Sequence, residues 1–452
     1  MRVGGILLVY RRPFAFRDAA TIREHIDSFP RHSSFAVRSV NTEFGFPSPL
    51  RKHEFDVILL HYTLFAGIGY GLDKRWLEYL DRCRGSYKVA FFQDEYFGCP
   101  NRFAFLRDHR IDCVYTLLDA EWAPKVYRDI GGVETVVPTL PGYVSSDLLK
   151  AARRFALPDA RRTIDIGYRS RPLSAFMGRA AWEKTGIADE VKRRCEVLGI
   201  PVDIETDERS RLYGNAWYRF LGRCKACIGV EAGVSVFDLE GVVYRRYLEL
   251  RESHPSATFD EMVQLLAPVM DPWENRVFYR TISPRHFETA AFRICQILFE
   301  GRYSDILDPM RHYIPLKKDF SNLDEVLRSY RDPALRRKIT DAAHRDLIAT
   351  GAYSYARFVE SFDRTLARQG ITPRGSIAGA TRVRLMSLHP EAIPRVLRPL
   401  GLRLVLRIYR WSQGSRIGQK LIWPLFGGAI DRMARLLKKS LARRRAGDER
   451  AS

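Results

Sequence analysis

Nowhere is this chain apolar for the roughly 18 residues that a membrane-crossing helix needs, so no transmembrane anchor is expected. It also lacks a disulfide framework. Its seven cysteines (Cys83, Cys99, Cys113, Cys195, Cys224, Cys227 and Cys295) are odd in number and spread out, several inside apolar runs, a pattern that fits buried thiols in a reducing compartment. Cys224 and Cys227 form a C-x-x-C, but no second pair or nearby histidine completes a zinc set. The opening MRVGGILLVYRRP is too short, and too charged after Tyr10, for a signal peptide, and reads as a first buried strand. Acidic residues are scarce: 53 Asp/Glu stand against 74 Lys/Arg, for a net charge of +21. The excess is localised, because residues 370–452 hold 18 Lys/Arg and only 4 Asp/Glu. The body is therefore only mildly basic, which argues against a nucleic-acid enzyme whose groove would carry its charge inside the fold.

What is present is enough for two domains and an appendage: 452 residues, 46% of them hydrophobic. Residues 1–145 alternate short apolar strands with helix-length polar segments, the pattern of a parallel sheet covered on both faces. The strands expected are Gly5–Tyr10, Ser34–Ser39, Asp56–His61, Lys88–Gln93, Cys113–Thr116 and Glu134–Pro138, with helices such as Ala19–Ser28, Asp73–Cys83 and Glu121–Asp129 between them. Ligands gather beyond the carboxyl ends of such strands; His61 and the run Asp94-Glu95 lie at two of those ends. Pro138–Ala160, with three prolines and Gly142, reads as an interdomain connection. A second alternating unit, 160–350, begins with strand Ile164–Tyr168 and the turn Arg169-Ser170-Arg171-Pro172. A helix Met177–Leu198, strand Pro201–Glu205, helix Asn215–Arg223 and a strand Ala226–Val230 ending in Glu231-Ala232-Gly233 follow, and then a polar helical insertion over 240–275.

The stretch Thr281–Leu316 says most. Ser283-Pro284 is a strong helix start, since the hydroxyl can accept an orphan amide and proline has no N–H to satisfy. Arg285 and Glu288, three apart, project together from one face of that helix. A guanidinium and a carboxylate at a helix N-terminus suit a phosphorylated sugar. The run Arg285-His286-Phe287-Glu288-Thr289-Ala290-Ala291, then Tyr303-Ser304-Asp305-Ile306, then His312-Tyr313-Ile314-Pro315-Leu316-Lys317-Lys318-Asp319-Phe320-Ser321-Asn322-Leu323 ending in Asp324-Glu325-Val326-Leu327, resembles the C-terminal domain of GT-B glycosyltransferases, in particular the CgeB-like branch of the group 1 transferases. The segments IGYRSRPL, RLYGNAWYRFL and GVEAGVSVFD extend the resemblance over most of 160–367.

The resemblance implies an α/β fold of two Rossmann-like domains facing across a cleft, with a terminal helix, 351–369, crossing back to the first. It further implies transfer of a sugar from a nucleotide-sugar donor to a glycan, lipid-linked or protein acceptor, with no cofactor and no metal. Glu288 matches the second glutamate of the family's pair, which binds donor ribose hydroxyls; the first falls on Arg280 here. Arg169 and Arg171, just past a strand end, suit the diphosphate, and Arg285 stands in the same helix turn as the phosphate-facing amides. Glu231 and Gly233 would let a base or ribose approach closely, and the amides around Tyr303 and Ser304 would reach phosphate. Asp94 and Glu95, with His61 as an alternative, are the candidate bases for an acceptor hydroxyl if the enzyme inverts. Two other readings stay open: a non-catalytic protein that keeps the fold, and a sugar-nucleotide epimerase on the same fold.

After a linker of Gly, Pro and Ser near 370–380, residues 381–445 form basic amphipathic segments, including PLGLRLVLRIYRW with Arg403, Arg407 and Arg410 set among apolar residues and Trp423 further on. Such helices suit an anionic membrane surface, which would place a cytoplasmic protein at the inner face of a membrane. Packing on this protein or a partner is the competing expectation, and nucleic acid the least favoured.

Overall fold

The computed structural model describes residues 2–12, 19–67 and 70–373. The basic segments expected over 381–445 lie outside the described residues.

In chain order the elements run β1 (Arg2–Tyr10), α1 (Ala20–His32), β2 (Val37–Asn41), β3 (Glu54–Leu60), α2 (Lys74–Arg82), β4 (Tyr87–Phe91), α3 (Cys99–Asp108), β5 (Cys113–Thr116), β6 (Thr135–Pro138) and α4 (Ser146–Phe155). The chain continues through β7 (Ile164–Arg169), α5 (Glu183–Val197), β8 (Val202–Glu205), α6 (Asn215–Arg223), β9 (Cys224–Gly229), β10 (Ala232–Val236), α7 (Val242–Ser253) and α8 (Phe259–Met270). It closes with β11 (Glu274–Thr281), α9 (Pro284–Ala291), β12 (Cys295–Phe299), β13 (Ile314–Leu316), α10 (Leu323–Arg331), α11 (Pro333–His344) and α12 (Tyr355–Arg368).

Two parallel sheets form the α/β fold that the alternation predicts. The first has six strands in the order β2-β1-β3-β4-β5-β6 and the second five in the order β13-β12-β9-β7-β8. Their central strands read as nearly unbroken apolar runs because both faces are covered: Ile6–Val9 in β1 and Val57–Leu60 in β3 are fully buried. In the second sheet alternate residues serve opposite faces. Ala226 and Ile228 of β9, with Cys295, Ile297 and Phe299 of β12, enter a core with α5 and α10. Cys227 and Leu298 enter the other core, built with Phe220 of α6 and Phe287 and Ala290 of α9. All seven cysteines are free and buried.

Of the described residues, 2–12 and 35–90 belong to one compact unit, and 19–34 with 91–372 to another. Pro138–Ala160, expected as a connection between domains, falls inside the second unit and carries α4. Also in that unit, α12 packs along α1, with Phe358 and Phe362 edge-on to Phe29 at 5.7 and 5.2 Å. Asp363 accepts from the hydroxyls of Ser33 and Ser34 at 2.8 and 2.7 Å.

β10 departs from expectation. The sequence reading takes Ala232-Gly233 as a turn and continues the insertion to 275, whereas Ala232–Val236 is a strand pairing antiparallel with β11. Gly233 makes this possible: its φ is +96°, and a Cβ there would lie 2.0 Å from the Tyr279 carbonyl oxygen. The close approach foreseen at Gly233 is therefore that of β11, not of a base or ribose.

Candidate functional site

The pocket of the second unit, 330 Å³, opens between the ends of β7 and β9 and the starts of α6 and α9. β7 delivers Tyr168 and Arg169, followed by Ser170 and Arg171; the start of α5 delivers Lys184; the loop into α6 delivers Arg211, Tyr213 and Gly214, and the helix itself Trp217 and Tyr218. α9 contributes Arg285, His286, Glu288 and Thr289, and Ala19-Ala20-Thr21 at the start of α1 completes the wall. Five cations and two carboxylates, Glu231 and Glu288, line this space, so its field favours an anion.

α9 forms as its sequence dictates. Ser283 accepts from the Arg285 amide at 3.3 Å, while Nδ1 of His286 accepts from the Ser283 amide at 3.1 Å, a reciprocal cap with Pro284 in the first turn. Burial pushes the His286 imidazole down to about 3, so the ring is neutral and can act as that acceptor. Gly229 keeps the space in front of α9 open: a Cβ there would lie 2.9 Å from Leu298 and 3.5 Å from Nε2 of His286.

Glu288 and Arg285 both face the pocket. Glu288 is half-buried, and Oε2 accepts from the Trp217 indole N–H at 2.9 Å. Desolvation pushes its carboxyl up to about 7, against the lowering effects of Trp217 and Arg285; Glu24 adds a small upward push. The Arg285 guanidinium donates to the Arg169 carbonyl at 2.5 Å and lies between two aromatic rings, 5.3 Å from the Trp217 centroid and 5.8 Å from that of Tyr168.

The two arginines after β7 differ. Arg169 is committed inward, donating to the Asp203 carbonyl and carboxylate at 2.8 and 2.7 Å while lying over the Phe220 ring; it braces β7 against β8. Arg171 is exposed and pairs with no carboxylate among the described residues. Lys184, which sequence reasoning missed, stands with it. Burial lowers the Lys184 ammonium to about 8, partly offset by Asp94 and reinforced by Arg285, Arg171 and Arg280.

Other residues expected at the site are placed elsewhere or occupied. Glu231 is buried at the pocket wall, where Oε1 accepts from the amides of Arg302 and Tyr303 at 3.1 and 2.8 Å; it organises the loop after β12. The Tyr303 amide is thus spent on Glu231, its side chain is buried, and its hydroxyl donates to the Phe299 carbonyl at 2.6 Å. Ser304 Oγ accepts from the Ile282 amide at 3.1 Å and meets the Thr281 hydroxyl at 2.8 Å. Neither Tyr303 nor Ser304 lines the pocket.

Of the three candidate bases, Glu95 is fully buried and both oxygens are engaged. Oε1 accepts from Thr116 at 2.7 Å and the Leu117 amide at 2.8 Å, and Oε2 from the Tyr127 hydroxyl. It ties the loop after β4 to β5, with both oxygens engaged inside the fold. His61, in the first unit, is also fully buried; Nδ1 accepts from the Thr63 amide at 3.2 Å and caps the turn after β3. Asp94 is exposed, in a left-handed conformation (φ 54°) that aspartate tolerates. Desolvation by the surrounding protein raises its carboxyl above the ordinary value, and Lys184 and Arg171 pull it back.

Beyond Lys184, sequence reasoning missed Trp217, Tyr213 and Arg211. The available signal was an aromatic and basic cluster, Arg211-Leu212-Tyr213-Gly214, opening a helix next to a strand end. Among the described residues no group of three or more His, Cys, Asp or Glu is arranged to hold a metal ion, and no helix is long and apolar enough to cross a membrane.

No protein-family model and no curated protein matches the chain. Among solved structures it is similar to an alpha-glucosyltransferase in complex with UDP, at 13% identity and a TM-score of 0.46 over 80% of this chain and 99% of that one. It is also similar to HepE of Anabaena in complex with UDP, at 8% identity and 0.44 over 80% and 100%. A third is TarM, at 10% identity and 0.39 over 70% of this chain; the chain spans 56% of TarM's length.

Proposed function

We propose that the protein is a glycosyltransferase that holds a nucleotide-sugar donor in the pocket of its second unit. The observation that carries the reading is the meeting of unlike groups in one cavity, with Arg285 and Glu288 on α9 and Arg171 and Lys184 from the β7–α5 side. Cations without carboxylate partners suit a diphosphate, and a half-buried carboxylate with a free oxygen suits vicinal ribose hydroxyls. In this reading Arg171 and Lys184 stabilise the leaving nucleoside diphosphate, which supports transfer without a metal. Asp94, whose field reaches both cations, takes the acceptor proton. The acceptor is a glycan, lipid-linked or protein hydroxyl, and residues 381–445 hold the enzyme at an anionic membrane face.

Thermal shift with UDP, GDP, ADP and CMP tests this. Stabilisation by one of them, abolished in Glu288→Ala and Arg171→Ala, is expected. Silence toward all four favours a scaffold that keeps the fold without its ligand.

A further inference from the structure

Trp217 belongs to no catalytic or ligand role assigned above, yet it touches both pocket-facing groups of α9. Its N–H reaches Oε2 of Glu288 at 2.9 Å, and its ring lies 5.3 Å from the Arg285 guanidinium carbon. The ring is itself fixed from behind, stacked on Phe220 at 5.5 Å and 26°. Because α6 carries Trp217 and α9 carries the other two, the indole is a brace between helices, and it constrains two rotamers that a donor would otherwise have to order on binding.

We propose that Trp217 is a positioning residue for the donor. Its N–H favours the ionised form of Glu288 and leaves the second oxygen turned to the ribose, and its face holds the Arg285 guanidinium beside the same ligand. This rests on the donor reading given above. Removing the N–H alone leaves Glu288 desolvated, with Arg285 on its own helix as the one remaining lowering influence. From α1, Glu24 faces it with the opposite effect, and Tyr218 of α6 stands near both carboxylates; Arg23, Arg31 and Asp147 surround Glu24. In Trp217→Phe the carboxyl therefore titrates higher, and the loss of binding depends on pH. A packing defect alone would weaken binding equally at every pH.

The test is UDP affinity by calorimetry across pH 6 to 9 for the full chain, Trp217→Phe and Glu288→Gln. The ratio of wild-type to Trp217→Phe affinity is expected to be about tenfold at pH 6 and to approach one near pH 9, as a titration moved up by about one unit requires. Using the ratio cancels the titration of Lys184, which both proteins share. In Glu288→Gln the rise in affinity between pH 6 and 8 that Glu288 supplies is expected to vanish, leaving only the fall as Lys184 loses its proton near 8. A ratio constant with pH, or no change in Trp217→Phe, overturns the proposal. In parallel, the Trp217 indole N–H resonance, assigned by its absence in Trp217→Phe, is followed without nucleotide. A midpoint near 7 that disappears in Glu288→Gln supports the pair whatever the ligand, and an invariant resonance overturns it. Failure of UDP and the other nucleotides to bind the wild type, with the indole titrating, sinks the donor reading and the positioning role with it, while leaving the hydrogen bond in place.

Discussion

The Arg280 guanidinium donates to the Glu183 carboxylate and lies with Nε 3.5 Å from Oε2 of Glu231. All three side chains are at most 9% exposed, and Lys318 adds a 2.9 Å contact to Glu183. The residue standing where the resembled family has its first glutamate is thus a structural cation inside the wall, and Arg280 does not line the pocket. It joins β11 to α5 and, through Glu231, to the loop after β12.

Breaking this cluster should cost stability first. Arg280→Ala leaves two buried carboxylates short of a partner, and a loss of about 3–5 kcal/mol in urea unfolding is expected. Arg280→Glu, which restores the family's pattern on paper, should be worse, because it gathers three carboxylates and removes the guanidinium that lies between two of them. Wild-type stability in Arg280→Glu would contradict this assignment.

Glu288 ties stability to pH. Its folded-state pKa, about 7, lies above the ordinary 4.5, so the folded protein binds more protons than the unfolded one between those values, and stability from this group falls as pH rises through that window. Glu288→Gln removes the penalty. It should stabilise the protein by about 1–3 kcal/mol at pH 8 and by nearly nothing at pH 4, while weakening nucleotide binding. Denaturant melts at the two pH values decide it.

Asp94 and Glu95, adjacent in sequence, should separate completely. Asp94→Asn is expected to keep nucleotide affinity and lower turnover by about 10²–10⁴-fold. Glu95→Ala should act on the fold, since it strands Thr116, Leu117 and Tyr127 without their acceptor, at about 1–3 kcal/mol for each unpaired group. Equal turnover losses with unchanged melting temperatures in both variants would contradict the division.

Arg171 and Lys184 should weaken nucleoside diphosphate far more than nucleoside. Each alanine variant is expected to lose roughly tenfold or more in UDP affinity, with uridine affected less than twofold. Because Arg171 is exposed, its share should shrink with added salt. Equal effects on UDP and uridine would move these cations away from the phosphates.

Much of the fold was legible because its signals are local. The apolar runs at Cys113–Thr116 and Ile164–Tyr168 fall on β5 and β7, the strand ends were found to within a few residues, and Asn215–Arg223 matches α6, while the terminal helix that the resemblance implied over 351–369 contains α12. The cap at Ser283-Pro284 announced α9 and, with it, the placement of Arg285 and Glu288. What sequence could not supply was the direction and occupation of side chains. Arg169 and Arg171 look alike two residues apart, yet one is spent on Asp203 and the other is exposed at the pocket. Asp94 and Glu95 lie in the loop beyond β4, where the backbone is left-handed at Asp94, and one is exposed while the other is buried. Trp217 and Arg280 are brought to or near the pocket by contacts 71 and 97 residues away in the chain, beyond the reach of periodicity and spacing.

The proposed transfer requires a nucleoside diphosphate lying between α9 and the β7–α5 turn. A crystal structure of the full chain with UDP reads this directly. The expected result places a ribose hydroxyl within about 3.2 Å of a Glu288 oxygen and the phosphates against Arg171 and Lys184. Nucleotide bound elsewhere, or bound here with its phosphates turned away from both cations, would contradict it.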